Sequence, residues 1–371
     1  MSESKFWTKI KSNRFYLALT GIIGAILLFF LVLYLAVPSY SFADIEPFNG
    51  DFIYNPYSEI NHINYFDLRS QYIENQGIKV YKYGCAMSGT RYLCLGYEKK
   101  RIIDYPFLQS VHYKQFNIDK LNKKCRLVAP AHPTKGFKKG EMTHLDHYRV
   151  MEVLSPDDNS LYYWDIALSN GHRVNAIATT GDEFDTNFDT LKYLTATIGD
   201  NDAESVYKAL ENGNSYAVAY SGNLIELPEL QGVTLNNDTL MIAVSAQAKE
   251  IRFIGQNAIV KQRLSDVSEG FYHFEKDDTY IRTEIEFANG NTLYLNPLVR
   301  HQYQYFFDMD KAKVMKGRTY LMWAVYIIVV LAFARLIFIS PRVISTGHRP
   351  KGDGNGDLSE AKAFTEGEKI S

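Results

Sequence analysis

Cysteine is scarce in this chain, with three residues among 371: Cys85, Cys94 and Cys125. Three cysteines cannot all pair with one another in a monomer, and none has the close C-x-x-C spacing that is typical of a zinc site. Two predictions stay open for the first two. Cys85 and Cys94 either form a disulfide that closes a hairpin, or they are buried thiols in a pair of strands.

The chain also lacks a charge excess of either sign. Its 40 Lys and Arg residues against 42 Asp and Glu residues give a formal net charge of -2, and the isoelectric point is near 6.5. A basic surface is the electrostatic footprint of a nucleic-acid-binding domain. We therefore do not expect nucleic acid as a partner.

Charged side chains are missing altogether from residues 15–37. A helix rises about 1.5 Å per residue, so this stretch would cover about 34 Å, enough to cross the hydrocarbon core of a bilayer. A second apolar stretch, residues 320–339, contains Arg335 near one end, from which a long side chain can reach the interface. The sequence predicts two transmembrane helices.

Basic residues precede the first stretch, and they predict that the N-terminus is cytoplasmic: Lys5, Lys9, Lys11 and Arg14. Two crossings return the C-terminus to the same side and leave the large central part extracytoplasmic. The alternative is a signal peptide cleaved near residues 41–43. The apolar stretch is too long for an ordinary signal sequence, which disfavours cleavage.

The pattern changes near residue 200, where we predict a domain boundary. Upstream, short apolar strands alternate with helical stretches, as in βα units around a mainly parallel sheet or barrel. Downstream, a helix at 203–212 is followed by alternating strands such as 281–287, buried on one side, and by a type I′ turn at Asn289-Gly290. The predicted parts are a cytoplasmic N-terminus (1–14), a transmembrane helix (15–37), a barrel (44–200), a helix plus β-sandwich (201–300), a juxtamembrane segment (301–319), a transmembrane helix (320–339) and a disordered cytoplasmic tail (342–371).

Polar residues follow three apolar strands, and they form the densest candidate site. His132 ends the first of these strands, Glu152 lies in the second, and Asp182 and Glu183 follow the third. Strand ends converge on the functional face of a βα barrel, so these side chains are expected to meet. His144 and His147 also lie close together, but without a third ligand they are interpreted as solvated surface histidines.

In the order and spacing of several pieces, roughly from residue 50 to 299, the sequence resembles the PHP (polymerase and histidinol phosphatase) metallohydrolases, in particular those with a β-sandwich after the barrel. The pieces are His132-Pro133, Glu152-Val153, residues 163–173, the strand ending at Asp182, residues 208–213, residues 280–282 and residues 294–297. The resemblance implies a distorted (β/α)7 barrel in which two or three divalent metals activate water to cleave phosphate esters.

The chain departs from that family's ligand pattern. Ile53 and Asn55 stand where the resemblance implies histidines, Tyr92 occupies another ligand position, and the final Asp-x-His motif becomes Asp182-Glu183-Phe184. Each metal ordinarily needs about three protein ligands. We therefore predict a degenerate site with no metal cofactor, in which His132, Glu152, Asp182 and Glu183 are remnants.

Two functions compete on this interpretation. The first is a catalytically degenerate binding or scaffold subunit, a pseudoenzyme, in an envelope complex of the bacterial plasma membrane, with the bilayer and other membrane proteins as partners. Gly21 and Ala25 have the spacing of a helix contact face, and with Arg335 they are the predicted partner contacts. The alternative is a metal-dependent phosphoesterase that uses Zn, Mn or Fe on an envelope substrate.

Overall fold

The structure is a computed structural model, and it divides into two compact units. It describes residues 14–35, 37–44, 46–57, 59–68, 77–84, 89–97, 109–156, 158–180, 193–221, 227–302 and 311–343. One unit comprises Met1–Leu35 and Trp323–Ser371, and the other comprises Ala36–Met322. The second unit contains all of the described strands and the candidate site.

Strands predominate in the described part of the chain. The strands are β1 (Tyr40–Phe42), β2 (Phe52–Tyr54), β3 (Ile63–Phe66), β4 (Val80–Gly84), β5 (Arg91–Leu95), β6 (Leu127–Ala131), β7 (Val150–Ser155), β8 (Asp158–Asn159), β9 (Asn175–Ala178), β10 (Tyr193–Ile198), β11 (Ser215–Ala219), β12 (Leu230–Asn236), β13 (Thr239–Gly255), β14 (Ile259–His273), β15 (Tyr280–Phe287), β16 (Thr292–His301) and β17 (Ala312–Val314). The helices are α1 (Arg14–Leu35), α2 (Val111–Asn122), α3 (Pro133–Gly136), α4 (Lys139–Met142), α5 (Leu161–Ser169), α6 (Ala203–Asn212) and α7 (Lys316–Val343).

A nine-stranded sheet forms the largest layer. Its main path runs β12-β13-β15-β16-β11-β10-β3, with β14 paired to β13 and β2 paired to β16. Strands from both sides of residue 200 therefore belong to one sheet. Two three-stranded sheets, β4-β5-β6 and β8-β7-β9, and the two-stranded sheet β1-β17 complete the described topology.

The predicted (β/α)7 barrel is wrong. Among the described strands, β7 and β9 form the only parallel pair, through the βαβ connection that contains α5, and the other pairs are antiparallel. A barrel of βα units needs a crossover helix between each strand and the next, because parallel neighbours cannot be joined by a hairpin. Here hairpins join β12 to β13, β13 to β14 and β15 to β16, and β4-β5 and β10-β11 are also antiparallel pairs, so the sheets are mainly antiparallel.

The helix after residue 200 is confirmed, together with its ends. Asp202 caps α6 by accepting hydrogen bonds from the backbone N–H groups of Glu204 and Ser205, each at 3.1 Å. Gly213 ends the helix with φ of 86°, a left-handed conformation that glycine adopts without a steric penalty. Its apolar face packs into the core, with Val206 and Leu210 fully buried.

The hairpin β15-β16 also forms, but two details differ from the prediction. Gly290 has φ of 86° whereas Asn289 does not have positive φ, so the loop is not the type I′ turn, which needs positive φ at both central residues. In addition, Arg282 and Glu284 are 3% and 7% exposed, so β15 is buried on both faces. The polar face is covered because Asp165 on α5 pairs with Arg282.

Neither predicted membrane span is supported. A helical crossing takes about 20 predominantly apolar residues, and over the part of the chain that the structure describes no helix is long and apolar enough to make one. This finding contradicts the predicted two-pass topology, with cytoplasmic termini, an extracytoplasmic domain and a bacterial plasma membrane as its location.

Candidate functional site

The ends of β6, β7 and β9 carry a buried polar cluster, which we call the strand-end cluster: His132, Glu152, Ser155 and Thr179. Its centre is the carboxylate of Glu152, which is 1% exposed. Oε2 accepts a hydrogen bond from the backbone N–H of His132 at 2.9 Å, and Oε1 accepts one from the hydroxyl of Thr179 at 2.5 Å. The prediction that His132 and Glu152 lie together is therefore confirmed by direct contact.

His132 has an unusual backbone conformation that the cluster supports. Its φ of 45° and ψ of 57° lie in the left-handed region, which is costly for a residue with a Cβ atom. Pro133 follows, and proline disfavours a right-handed helical conformation in the residue before it. The hydrogen bond from the His132 N–H to Glu152 holds the turn in place, so the carboxylate stabilises the chain reversal after β6.

A second carboxylate anchors the residues after this turn. Asp158, 8% exposed, accepts a hydrogen bond from the Thr134 hydroxyl, one from the Thr134 backbone N–H at 3.3 Å and one from the Ser160 hydroxyl at 2.8 Å. The start of the short helix α3 is therefore held by hydrogen bonds to the Asp158 carboxylate in β8.

Among the residues that the structure describes, the contacts of His132 do not form a catalytic triad. In a Ser-His-acid triad the serine and the acid bind different ring nitrogens of the histidine. Here the Ser155 hydroxyl lies 3.1 Å from His132 Nδ1, and Glu152 Oε2 lies 3.7 Å from that same nitrogen. Both groups approach one side of the ring, and the His132 side chain is 3% exposed, so its described contacts fix its orientation within the fold.

Sequence reasoning found two members of the cluster and missed two. Ser155 and Thr179 are small hydroxyl residues at the ends of β7 and β9, and their position after apolar runs is the signal that could have identified them. The other predicted site residues, Asp182 and Glu183, lie outside the described residues.

The interpretation of His144 and His147 as solvated surface histidines is wrong. Both are half-buried. His147 Nδ1 lies 2.7 Å from Asp119 Oδ1 on α2, and the His144 ring packs 5.5 Å from the ring of Phe42. They follow the short helix α4 and pack against elements that are distant in sequence, which their spacing alone could not show.

Outside the strand-end cluster, one group in the described part of the chain brings three acidic side chains within metal-binding distance. Glu275, Asp277 and Asp278 place one oxygen each within 4.8 Å of one another. However, Lys261 Nζ lies 2.9 Å from Asp278 Oδ1 and 3.3 Å from Glu275 Oε2, and the Tyr272 hydroxyl donates to Asp278 Oδ2 at 2.7 Å. The ammonium group of Lys261 already compensates one of the three negative charges of this group.

The disulfide involves a pair that the sequence did not predict. Cys94 in β5 is bonded to Cys125, just before β6, with the two Cα atoms 5.5 Å apart. Both earlier interpretations of Cys94 are therefore wrong. Its partner lies in the segment between α2 and β6, the strand that pairs with β5. Cys85 lies outside the described residues.

A buried ion pair ties α5 to β15. Arg282 Nε and Nη2 donate to the two carboxylate oxygens of Asp165 at 2.7 Å each, and Nη1 donates to Glu284 Oε1 at 2.6 Å. Burial opposes the charge on Arg282, but the hydrogen bonds and charges of Asp165 and Glu284 outweigh burial and raise the pKa of the guanidinium. The guanidinium also lies 5.1 Å from the Trp164 ring.

The predicted partner contacts are exposed. Gly21 and Ala25 on α1 are both accessible, and a Cβ added at Gly21 would meet no atom within 4 Å. Arg335 on α7 is exposed as well.

Comparison with known proteins adds no relative: no family model, no curated protein and no solved structure matches this chain.

Proposed function

We propose that this chain is a binding or scaffold module that does not catalyse a reaction at its strand-end cluster. One observation carries the proposal. The polar groups that a hydrolase would direct at water or substrate are buried here and bonded to one another. Glu152 accepts from His132 and Thr179, and Ser155 meets His132 Nδ1.

Hydrolytic chemistry makes specific demands that these contacts do not meet. A hydrolytic metal is held by about three protein ligands and keeps an open coordination position for water. The described part of the cluster supplies one imidazole and one carboxylate, which are 3% and 1% exposed. Their hydrogen bond lies at the turn between β6 and α3, which supports a structural role.

The competing function is a metal-dependent phosphoesterase. The observation in its favour is that Glu152, inside β7, contacts His132, at the end of β6, as the candidate metal site requires. Asp182 and Glu183 would have to complete the ligand set, with Zn, Mn or Fe as the cofactor.

Metal analysis separates the two functions. The full chain is purified without chelator, its Zn, Mn and Fe content is measured by mass spectrometry, and hydrolysis of bis(p-nitrophenyl) phosphate is followed with each metal added. The binding-module proposal expects no stoichiometric metal and no turnover above that of a His132→Ala variant. A matched His62→Ala variant changes an exposed histidine. Stoichiometric metal that is lost in His132→Ala and retained in His62→Ala would establish the phosphoesterase.

A scaffold must also have a partner, and we propose that the partner is another protein. The exposed surface at Gly21, Ala25 and Arg335 is the place to test. Native mass measurement of the chain isolated at its natural abundance should give a complex heavier than one chain. Gly21→Leu combined with Arg335→Gln should reduce the complex to the single-chain mass, whereas Glu204→Gln on the exposed face of α6 should not. A single-chain mass for the unmodified protein would contradict the proposal.

A further inference from the structure

A short two-stranded ribbon joins the two ends of the larger unit. We use the name ribbon for β1 and β17, which pair antiparallel with Tyr40 opposite Val314 and Phe42 opposite Ala312. Backbone bonds extend the pairing at both ends, from Ala43 N to Lys311 O at 2.7 Å and from Met315 N to Ser39 O at 2.8 Å. The chain enters this unit through β1 and leaves it through β17, so the ribbon holds the two ends of the unit next to each other.

Titratable groups make several of the described contacts between the ribbon and the rest of the unit. The Tyr40 backbone N–H donates to His112 Nδ1 at 3.1 Å, and its hydroxyl donates to Asp119 Oδ2 at 2.6 Å. On the other side, the Lys311 N–H donates to Asp146 Oδ2 at 2.6 Å. The Phe42 ring lies 5.7 Å from the His112 ring.

Four of the nine histidines of the chain lie at this attachment: His112, His144, His147 and His172. Two of them face carboxylates, because His147 Nδ1 is 2.7 Å from Asp119 and His172 Nδ1 is 3.9 Å from Asp146.

His112 contacts the ribbon directly, as the acceptor of a backbone hydrogen bond. A backbone N–H can only donate, so His112 Nδ1 must be the acceptor and must carry no proton. A protonated imidazole has a donor at both nitrogens, so protonation would turn this hydrogen bond into a repulsive contact. His112 is also the second residue of α2, where the positive end of the helix dipole disfavours a cation.

We propose that His112 is a pH-sensitive latch for the ribbon, which attaches β1 to α2 while the imidazole is neutral and releases it when the imidazole is protonated. The proposal rests on the tautomer that the Tyr40 N–H imposes and on the position of the ring at a helix N-terminus. It is independent of whether the strand-end cluster is catalytic.

The charged surroundings of His112 support this direction. Burial, and then the positive charge of Arg318 on α7, lower the pKa of His112 from its ordinary value near 6.5. The carboxylate on the same helix is that of Asp119, and its Oδ2 accepts a hydrogen bond from the Tyr40 hydroxyl. On the β1 side, the His112 ring packs against the rings of Tyr40 and Phe42. His144 lies beyond Phe42. Because the pKa is lower in the attached state, attachment is strongest above pH 6.5 and weakens as the pH falls below that value.

Hydrogen exchange at the ribbon tests the latch. Exchange of the full chain is followed by mass spectrometry at pH 7.5 and pH 5.5, with each rate corrected for the intrinsic effect of pH. A single proton with an ordinary pKa of about 6.5 in the released state permits a loss of protection of at most about tenfold over this range. We expect the protection of the amides of residues 40–42 to fall about threefold to tenfold, while α6 stays unchanged.

A variant separates titration from hydrogen bonding. In His112→Asn the side-chain oxygen can accept from the Tyr40 N–H and does not titrate, so protection at residues 40–42 should be the same at both pH values. His62→Asn changes an exposed histidine and should retain the wild-type pH dependence. Equal pH dependence in His112→Asn and wild type would overturn the latch. If circular dichroism shows that His112→Asn is unfolded, the wild-type profile decides, because unchanged protection between pH 7.5 and pH 5.5 also overturns it.

Discussion

Removal of the Glu152 carboxylate is the most direct test of its role in the strand-end cluster. Glu152→Ala removes the acceptor of two hydrogen bonds and leaves the His132 N–H and the Thr179 hydroxyl buried in its place. Hydrogen bonds to charged groups contribute about 1.5–3 kcal/mol each, and unsatisfied buried donors add a desolvation cost. Part of this loss is offset because the buried charge also disappears. We therefore expect the free energy of unfolding to fall by about 3 kcal/mol.

Glu152→Gln provides the matched comparison. The glutamine oxygen can still accept from the His132 N–H, and its amide can donate to Thr179 once that hydroxyl has rotated. Only the charge assistance is lost, so the expected decrease is about 1 kcal/mol. Glu204→Ala, on the exposed face of α6, should change stability by less than about 0.5 kcal/mol.

Urea unfolding measures these differences. The fluorescence of Trp164, fully buried between α5 and the strands, reports the unit that contains the cluster. With a urea dependence of about 3 kcal/mol per M, a loss of about 3 kcal/mol moves the midpoint by about 1 M. A Glu152→Ala midpoint equal to that of Glu204→Ala would refute the structural role. Unchanged stability combined with loss of a bound metal would instead favour the phosphoesterase.

Three further predictions follow from the described contacts. Cys94→Ser or Cys125→Ser removes the disulfide across 31 residues of sequence and should lower the free energy of unfolding by about 3–4 kcal/mol. In the same urea titration, a reductant should destabilise the wild type but not these variants. Arg282→Met leaves the buried Asp165 carboxylate without its cation and should lower the free energy of unfolding by about 3–5 kcal/mol. Arg282→Met combined with Asp165→Leu should recover most of that stability, and equal stability of the single and double variants would refute the pairing. Burial opposes ionisation of Asp146, but the neighbouring His172, 3.9 Å away, and the hydrogen bond from the Lys311 N–H outweigh it and lower the pKa of the carboxyl below its unfolded value of about 3.9. Its contribution to stability is therefore present above pH 4 and is lost as the pH falls below that, so Asp146→Asn should flatten the dependence of the thermal midpoint on pH between 2 and 4.

Local elements and one tertiary contact were predictable from the sequence. The α6 helix carries its own N-cap at Asp202 and its own terminating Gly213, and both act within one turn of the chain. The alternation of Leu240, Ile242 and Val244 likewise placed three buried side chains on one face of β13. The contact between His132 and Glu152 was also expected from the sequence, although Glu152 lies inside β7 and reaches His132, at the end of β6, through its side chain.

The candidate site was predictable only in part, because its remaining members are ordinary residues by composition. Ser155 and Thr179 stand at the ends of apolar runs, but no spacing or charge distinguishes them from other hydroxyl residues, and the pairing of β7 with β9 is what brings them to one cluster. The type of the β15-β16 turn was also missed. Asn-Gly is compatible with more than one loop, and the register between Glu286 and Thr292 selects the longer one.

Local elements such as α6 follow from signals that lie within a few residues of one another, and the small net charge and the scarcity of cysteine follow from composition. The tertiary structure decided which strands pair, and hence that the sheets are mainly antiparallel, that Cys94 bonds to Cys125, and that Arg282 is buried against Asp165. The physical reason is distance along the chain. Arg282 and Asp165 lie 117 positions apart, and their contact depends on a register that no local pattern encodes.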